Sequence, residues 1–183
     1  MDDFQEICKD LLFKLDPEPL RQGLLKTPER MANLFAELTE GYRQTYSEVV
    51  GDGVFTEDVT DDIVIVKGIE FYSLCEHHVL PFFGKCSIAY LPDKEIIGLS
   101  KLARICDMYA KRLQVQERLT KEICQCIEEN LKPKGVAVII EAQHLCMMMR
   151  GVDKQSATTI TSSMKGVFLN DAVARNELMV LLR

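Results

Sequence analysis

The sequence predicts an α+β domain built on antiparallel sheet, and three observations carry that expectation. Helical patterns come first, strand patterns then arrive in neighbouring pairs, and helical segments separate one pair from the next. The chain has 183 residues, 47% of them hydrophobic and 27% charged, which suits one compact domain with a sizeable core. We therefore read 1–183 as a single domain, with a helical N-terminal part and connection over 1–62 and an α+β core over 63–183.

Residues 2–15 and 28–42 carry helical periodicity; in the second, Thr27 is placed to cap, Pro28 to open the first turn and Gly41 to end it. Tyr42 to Asp62 is polar and patternless, a long connection. Ile63-Val64-Ile65-Val66 opens a strand to about Leu74, and Gly84–Leu91 forms a second, closed by a Pro92-Asp93 turn. Ser100 fits the N-cap of a helix reaching Arg112, with Leu102, Ile105, Cys106 and Tyr109 on its apolar face. A helix over Gln116–Leu131 ends before Pro133 and Gly135. Strand returns at Val136–Met147 and Ala157–Ser162, and a last helix spans Asp171–Leu182.

Composition removes several classes of function. Nothing approaches the ~18 consecutive apolar residues of a membrane helix, so no membrane partner is expected. The acidic opening Met1-Asp2-Asp3 lacks the basic and apolar regions of a secretory signal. Seven cysteines, odd in number and scattered from Cys8 to Cys146, favour reduced thiols and a cytoplasmic location. A formal charge of −6 argues against non-specific nucleic-acid binding, although local charge decides whether an anionic ligand binds.

The chemistry concentrates around the histidines. There are three, His77, His78 and His144, and each lies within three residues of a cysteine, in Cys75-Glu76-His77-His78 and His144-Leu145-Cys146. Imidazole nitrogen with thiolate sulfur is the ligand set zinc prefers. On a strand, His144 and Cys146 would share a face, while adjacent His77 and His78 would point apart. Cys75 and His78 can converge if the chain turns after Leu74. Five candidates are one too many for a closed tetrahedral site, and three ligands with an open position plus two histidines for proton transfer suits catalysis better. Against this stand a structural zinc, and buried cysteines beside ordinary hydrogen-bonded histidines.

A second group suits a polyanion. Ser100 at a helix start offers a hydroxyl and backbone N–H groups, with Lys101 in the first turn, Arg104 three residues on, and Arg150 four residues after Cys146. Read alone, this is at least as well explained as a solvated basic face. Gln116-Glu117 opens a helix, where a carboxylate is favoured electrostatically; a buried Glu could instead accept hydrogen bonds from a guanine edge. Cys86 and Cys106 fit buried positions, Met147-Met148-Met149 fits strand packing, and Cys124 with Cys126 lie too far around a helix to chelate together.

These motifs together resemble the GTP cyclohydrolase I family. The resemblance rests on Cys75-Glu76-His77-His78, Ile97-Gly98-Leu99-Ser100-Lys101-Leu102-Ala103-Arg104, Arg112 to Thr120, His144 to Val152 and Gly23 to Arg30, in the family's order from about residue 20 onward. It implies the tunnelling fold, an antiparallel sheet with helices on one side. It further implies zinc (Zn2+) held by Cys75, His78 and Cys146, with His77, His144 and Ser100 as the catalytic proton carriers. Glu117, Gln116 and backbone around Leu99 would hold the guanine, and Ser100, Lys101, Arg104 and Arg150 the ribose and triphosphate. The implied reaction converts GTP and water to 7,8-dihydroneopterin triphosphate and formate, with His144 donating to N7 of the purine. The implied assembly is a homodecamer of two pentamers with active sites shared between subunits, open to allosteric control. No appended regulatory segment is expected before the first shared motif, and Asp153-Lys154-Gln155-Ser156 departs from the commoner family pattern. The rivals are another purine- or pterin-handling enzyme of the same fold, and a non-catalytic oligomer with structural zinc.

Overall fold

The computed structural model describes residues 2–183, so Met1 of the acidic opening lies outside them. The chain divides into two compact units, one ending at Glu40 and one spanning Gly41–Arg183. In the first, α1 (Asp2–Leu15) packs on α2 (Thr27–Leu38), with Phe4 edge-on to Phe35 at 6.0 Å and Cys8 buried. Lys26, not Thr27, occupies the N-cap of α2, and no side chain caps it. The helix stops at Leu38 rather than continuing to residue 42.

In the second unit the supposed connection is partly ordered as α3 (Tyr46–Val50) and β1 (Val54–Phe55). The signal for α3 was present in Thr45-x-x-Glu48, a capping box. The Glu48 N–H reaches Thr45 Oγ1 at 3.4 Å, and the Thr45 N–H donates to Glu48 Oε2 at 2.8 Å. Thr45→Ala is expected to lower stability by about 1 kcal/mol, read as a drop in the denaturant midpoint. An unchanged midpoint would show that the box contributes nothing.

The main sheet has five strands in the order β5-β2-β3-β6-β7: β2 (Val64–Cys75), β3 (Pro81–Leu91), β5 (Leu113–Gln114), β6 (Gly135–His144) and β7 (Thr159–Gly166). All neighbours are antiparallel except the short β2–β5 pair. β4 (Ile96–Ile97) pairs separately with β1. The α+β expectation and its antiparallel core hold. β3 starts three residues before Gly84, because Leu74 pairs with Pro81 across a tight loop. Gly84 lies opposite Ala142, where a Cβ would sit 2.0 Å from the Glu141 carbonyl oxygen.

Helices α4 (Leu99–Ala110) and α5 (Gln116–Leu131) cover one face of this sheet. Leu102, Ile105, Cys106, Leu119, Ile123 and Ile127 meet Phe82, Cys86, Ile88, Val138 and Ile140 there, all 0–1% exposed. Full burial of one such aliphatic side chain stabilises by roughly 1.5–3 kcal/mol, so this layer dominates the unit. Side chains alternate along a strand, so Ala89 and Ala137 face the other way; there they meet Phe168 of α7 (Val167–Asn170) and Leu178 of α8 (Ala172–Leu182). Asp171 caps α8 through the Val173 and Ala174 N–H groups.

Two boundaries near the chemistry differ from expectation and one agrees. Gly98 is the N-cap of α4 and Ser100 is already helical, with no side chain capping. α5 matches residue for residue, closed by Lys132 in the left-handed conformation at φ 49°. β6 ends at His144, and Leu145–Met148 forms a short helix, α6. Met147, within α6, and Met149, just after it, are therefore exposed and not strand packing.

Candidate active site

The site is built where β2 and β6 end. Cys75 is the last residue of β2 and is buried. The loop after it closes on itself, with the Cys75 N–H donating to the Leu80 carbonyl at 2.8 Å and the Val79 N–H to the Cys75 carbonyl at 2.7 Å. Val79 accepts φ of 55°, unusual for a β-branched residue, to make the reversal that folds His78 back toward Cys75. Glu76 leaves the loop to pair with Arg118 on α5. That guanidinium also donates to Gln114 Oε1 and the Leu113 carbonyl, both at 2.9 Å. The Arg118 hydrogen bond holds the Glu76 carboxyl below its ordinary range. Loop and helix are thus tied by an ion pair 42 residues apart in sequence, which no local pattern could announce.

Cys146 arrives by a different route from the one its spacing suggested. With β6 ending at His144, strand alternation does not apply, and the first turn of α6 carries the thiol toward Cys75. Ligand atoms of Cys75, His78 and Cys146 all lie within 4.8 Å of one another. Such spacing needs only small side-chain adjustments to surround one ion with Zn–S near 2.3 Å and Zn–N near 2.0–2.1 Å. Burial, followed by the charge of and hydrogen bonding with Cys75, pushes the Cys146 thiol above its ordinary pKa. A divalent cation bound between the two sulfurs would favour the thiolate form there. The residues present fit zinc.

The remaining histidines are held very differently. His77 is 64% exposed at its side chain, with Nδ1 3.9 Å from Cys75 Sγ and its ring roughly perpendicular to that of His78. His144 lies flat on Phe82, ring centroids 4.7 Å apart and 2° from parallel, with Nε2 2.8 Å from Gln116 Oε1. Burial holds its pKa below the usual imidazole value, opposed by the Glu117 carboxylate. Phe82 had no signal in the sequence; only the β3–β6 register, Phe82 opposite His144, reveals it.

A cavity of about 210 Å³ opens here, lined by Cys75, His77, Glu117, His144 and Cys146 among others. Ligand pockets for whole drug-sized molecules run ~300–1,000 Å³, so this cleft suits a single ring system rather than a larger ligand. Glu117 is exposed on its rim, whereas Gln116 beside it is buried, 1% exposed, with its side chain turned into the protein. Arg150 reaches the metal group, Nη1 lying 2.9 Å from His78 Nε2.

Leu99, Ser100, Lys101 and Arg104 do not join this cluster. They occupy the start of α4, beside the β1–β4 pair and Tyr90, whose hydroxyl accepts from the Ile97 N–H at 3.2 Å. Tyr90 pairs with Val64, at the opposite end of β2 from Cys75. At about 1.5 Å per residue, roughly 16 Å of α4 runs from Leu99 to its far end at Ala110, and roughly 9 Å from Arg104.

The chain matches the family described as GTP cyclohydrolase I over residues 4–183. It is 50% identical over 179 residues to the GTP cyclohydrolase 1 of Dictyostelium discoideum, a match covering 98% of this chain and 77% of that one. Identity to the GTP cyclohydrolase 1 of Homo sapiens is 53% over 173 residues, 94% of this chain and 69% of the human one. The GTP cyclohydrolase 1 of Leptospira biflexa is 48% identical over 179 residues, covering 98% and 97% respectively.

Proposed function

The chain belongs to the GTP cyclohydrolase I family, and on that premise we propose that it is a zinc-dependent hydrolase converting GTP and water to 7,8-dihydroneopterin triphosphate and formate, the first step of pterin and tetrahydrofolate synthesis. The observation that carries the reading is the convergence of Cys75, His78 and Cys146 beside a cleft lined by His144 and Glu117. Three protein ligands leave a coordination position open, which a purely structural zinc would not need. The family match across both units supports treating the whole chain as one functional domain.

Cys75, His78 and Cys146 would hold the metal. When bound there, zinc supplies an activated water at neutral pH by lowering its pKa to ~7. The protein's own residues do the rest. Glu117, on the cleft rim, accepts from the N–H edge of guanine and so sets the base with its five-membered ring toward His144. His144 delivers a proton to N7, which makes C8 electrophilic, and His77 and Ser100 carry protons in the later opening and reclosure of the ribose.

The triphosphate requires cations, and within one chain Ser100 and Lys101 lie nearly the length of α4 from its end nearer the metal group and Arg104 about half that, while Arg150 reaches His78. That separation supports an active site completed by a second copy, whose α4 presents those residues to the phosphates, and with it the homodecamer of two pentamers. Free cysteines throughout the described residues support a reducing, cytoplasmic setting.

The test is formate release from GTP by metal-quantified protein, with and without a chelator. Chelator-sensitive formate with pterin fluorescence is expected. Bound zinc without formate would return the chain to a structural-zinc or divergent-enzyme reading.

A further inference from the structure

Gln116 is the most completely engaged polar side chain around the cleft, and its bonding pattern determines more than packing. Its amide nitrogen donates to the Ile140 carbonyl at 3.1 Å and to the Thr159 carbonyl at 2.9 Å, with Thr161 Oγ1 at 3.1 Å. Backbone carbonyls can only accept, so the nitrogen must point toward them and Oε1 toward His144. The adjoining hydroxyls agree. Thr120 donates to the Gln116 carbonyl at 2.7 Å, so the 2.6 Å contact between Thr120 and Thr161 must run from Thr161 to Thr120. The Thr161 oxygen is then an acceptor facing the amide nitrogen, whose two hydrogens are shared among it and the two carbonyls. Gln116 and Thr120 are each 1% exposed, so these bonds are shielded from bulk solvent.

An acceptor oxygen 2.8 Å from His144 Nε2 requires that nitrogen to carry the hydrogen. Phe82, stacked on the ring face, fixes the plane of the imidazole in which Nε2 meets Gln116 Oε1. We propose that Gln116 is the positioning residue for His144: it holds the neutral imidazole as the Nε2–H tautomer, leaving Nδ1 as the nitrogen that exchanges a proton with the substrate. The sequence resemblance implied that Gln116 helps hold guanine; Gln116 and Glu117 both line the cleft, and the Gln116 side-chain nitrogen bonds to carbonyls of Ile140 and Thr159.

The inference rests on the proposed reaction and deepens it. With Nε2 held by Gln116, Nδ1 is the ring nitrogen left to meet the substrate, and presenting it needs no rearrangement of the ring. The second-row pair Thr120 and Thr161 keeps the amide from flipping.

The test uses the zinc-containing protein labelled with 15N-histidine, whose three histidines are separable. The His144 signals are identified by their loss in His144→Asn. A protonated Nε2 and an unprotonated Nδ1 are expected in the neutral form, and the reverse pattern would overturn the proposal. Gln116→Glu keeps an acceptor and should keep the tautomer, whereas Gln116→Leu should mix the tautomers. Gln116→Leu should also lower kcat by about 10–100-fold with KM for GTP nearly unchanged, the size of effect typical for groups that orient a reacting residue. A raised KM with unaltered kcat would make Gln116 a substrate contact instead. Should Gln116→Leu fail to fold, the unmutated protein's spectrum still decides. Absence of formate from the unmutated protein would defeat the reaction and not the tautomer, whereas Nδ1–H in an active protein defeats the tautomer alone.

Discussion

Cys146→Ala is expected to release the metal and to abolish formate production together. Cys75 and Cys146 are two of the three proposed ligands, and burial together with the neighbouring Cys75 pushes the Cys146 thiol above its ordinary pKa. Removing one leaves a thiol–imidazole pair, a weak chelate. Partners that merely orient ligands are worth about 10–100-fold in affinity, so loss of a ligand itself should exceed that. The fold should survive, because Cys146 lies on the first turn of α6 and is only partly buried. Zinc per chain and formate from GTP are the two readouts. Cys8→Ala, which removes a thiol outside the metal group, should retain both. Full turnover by a zinc-free Cys146→Ala protein would refute the metal-dependent reaction.

His144→Ala is expected to be nearly as damaging, but through kcat alone. A general acid positioned on its target contributes roughly 10²–10⁴-fold, and His144 is positioned by both Phe82 and Gln116. His77 has no comparable anchor and is 64% exposed at its side chain, so His77→Ala should cost less. Neither histidine belongs to the Cys75, His78 and Cys146 group, so zinc content should be unchanged in both variants. The informative result is the ranking of kcat at matched zinc content. A larger loss from His77→Ala than from His144→Ala would exchange the two roles.

Much of the fold could be read before any coordinates. α1 and α5 fall on the predicted residues because their periodicity is strong and their ends are marked, α5 by Pro133 and Gly135 just beyond it. β2 followed from a run of β-branched residues. Short elements were missed where local propensity is weak: β4 has two residues and exists because Phe55 and Val54 lie beside it. β6 ends before the expected Met147 because Leu145, Met147 and Met148 are good helix formers and turn into α6.

The same division runs through the site. Sequence by itself determined the donor chemistry: which thiols and imidazoles stand near one another along the chain, and, through long motifs in a shared order, the family and its reaction. It could not determine orientation. Whether Cys146 meets Cys75 depends on a helical turn after β6, and whether Gln116 faces guanine or His144 depends on carbonyls of Ile140 and Thr159 that only sheet pairing brings together. The wide separation of Ser100, Lys101 and Arg104 from the metal group likewise follows from the direction in which α4 crosses the sheet. Ligand identity is a property of side-chain chemistry and survives in one dimension. The direction in which a hydrogen bond points is fixed by partners distant in the chain, so only the tertiary structure decided it.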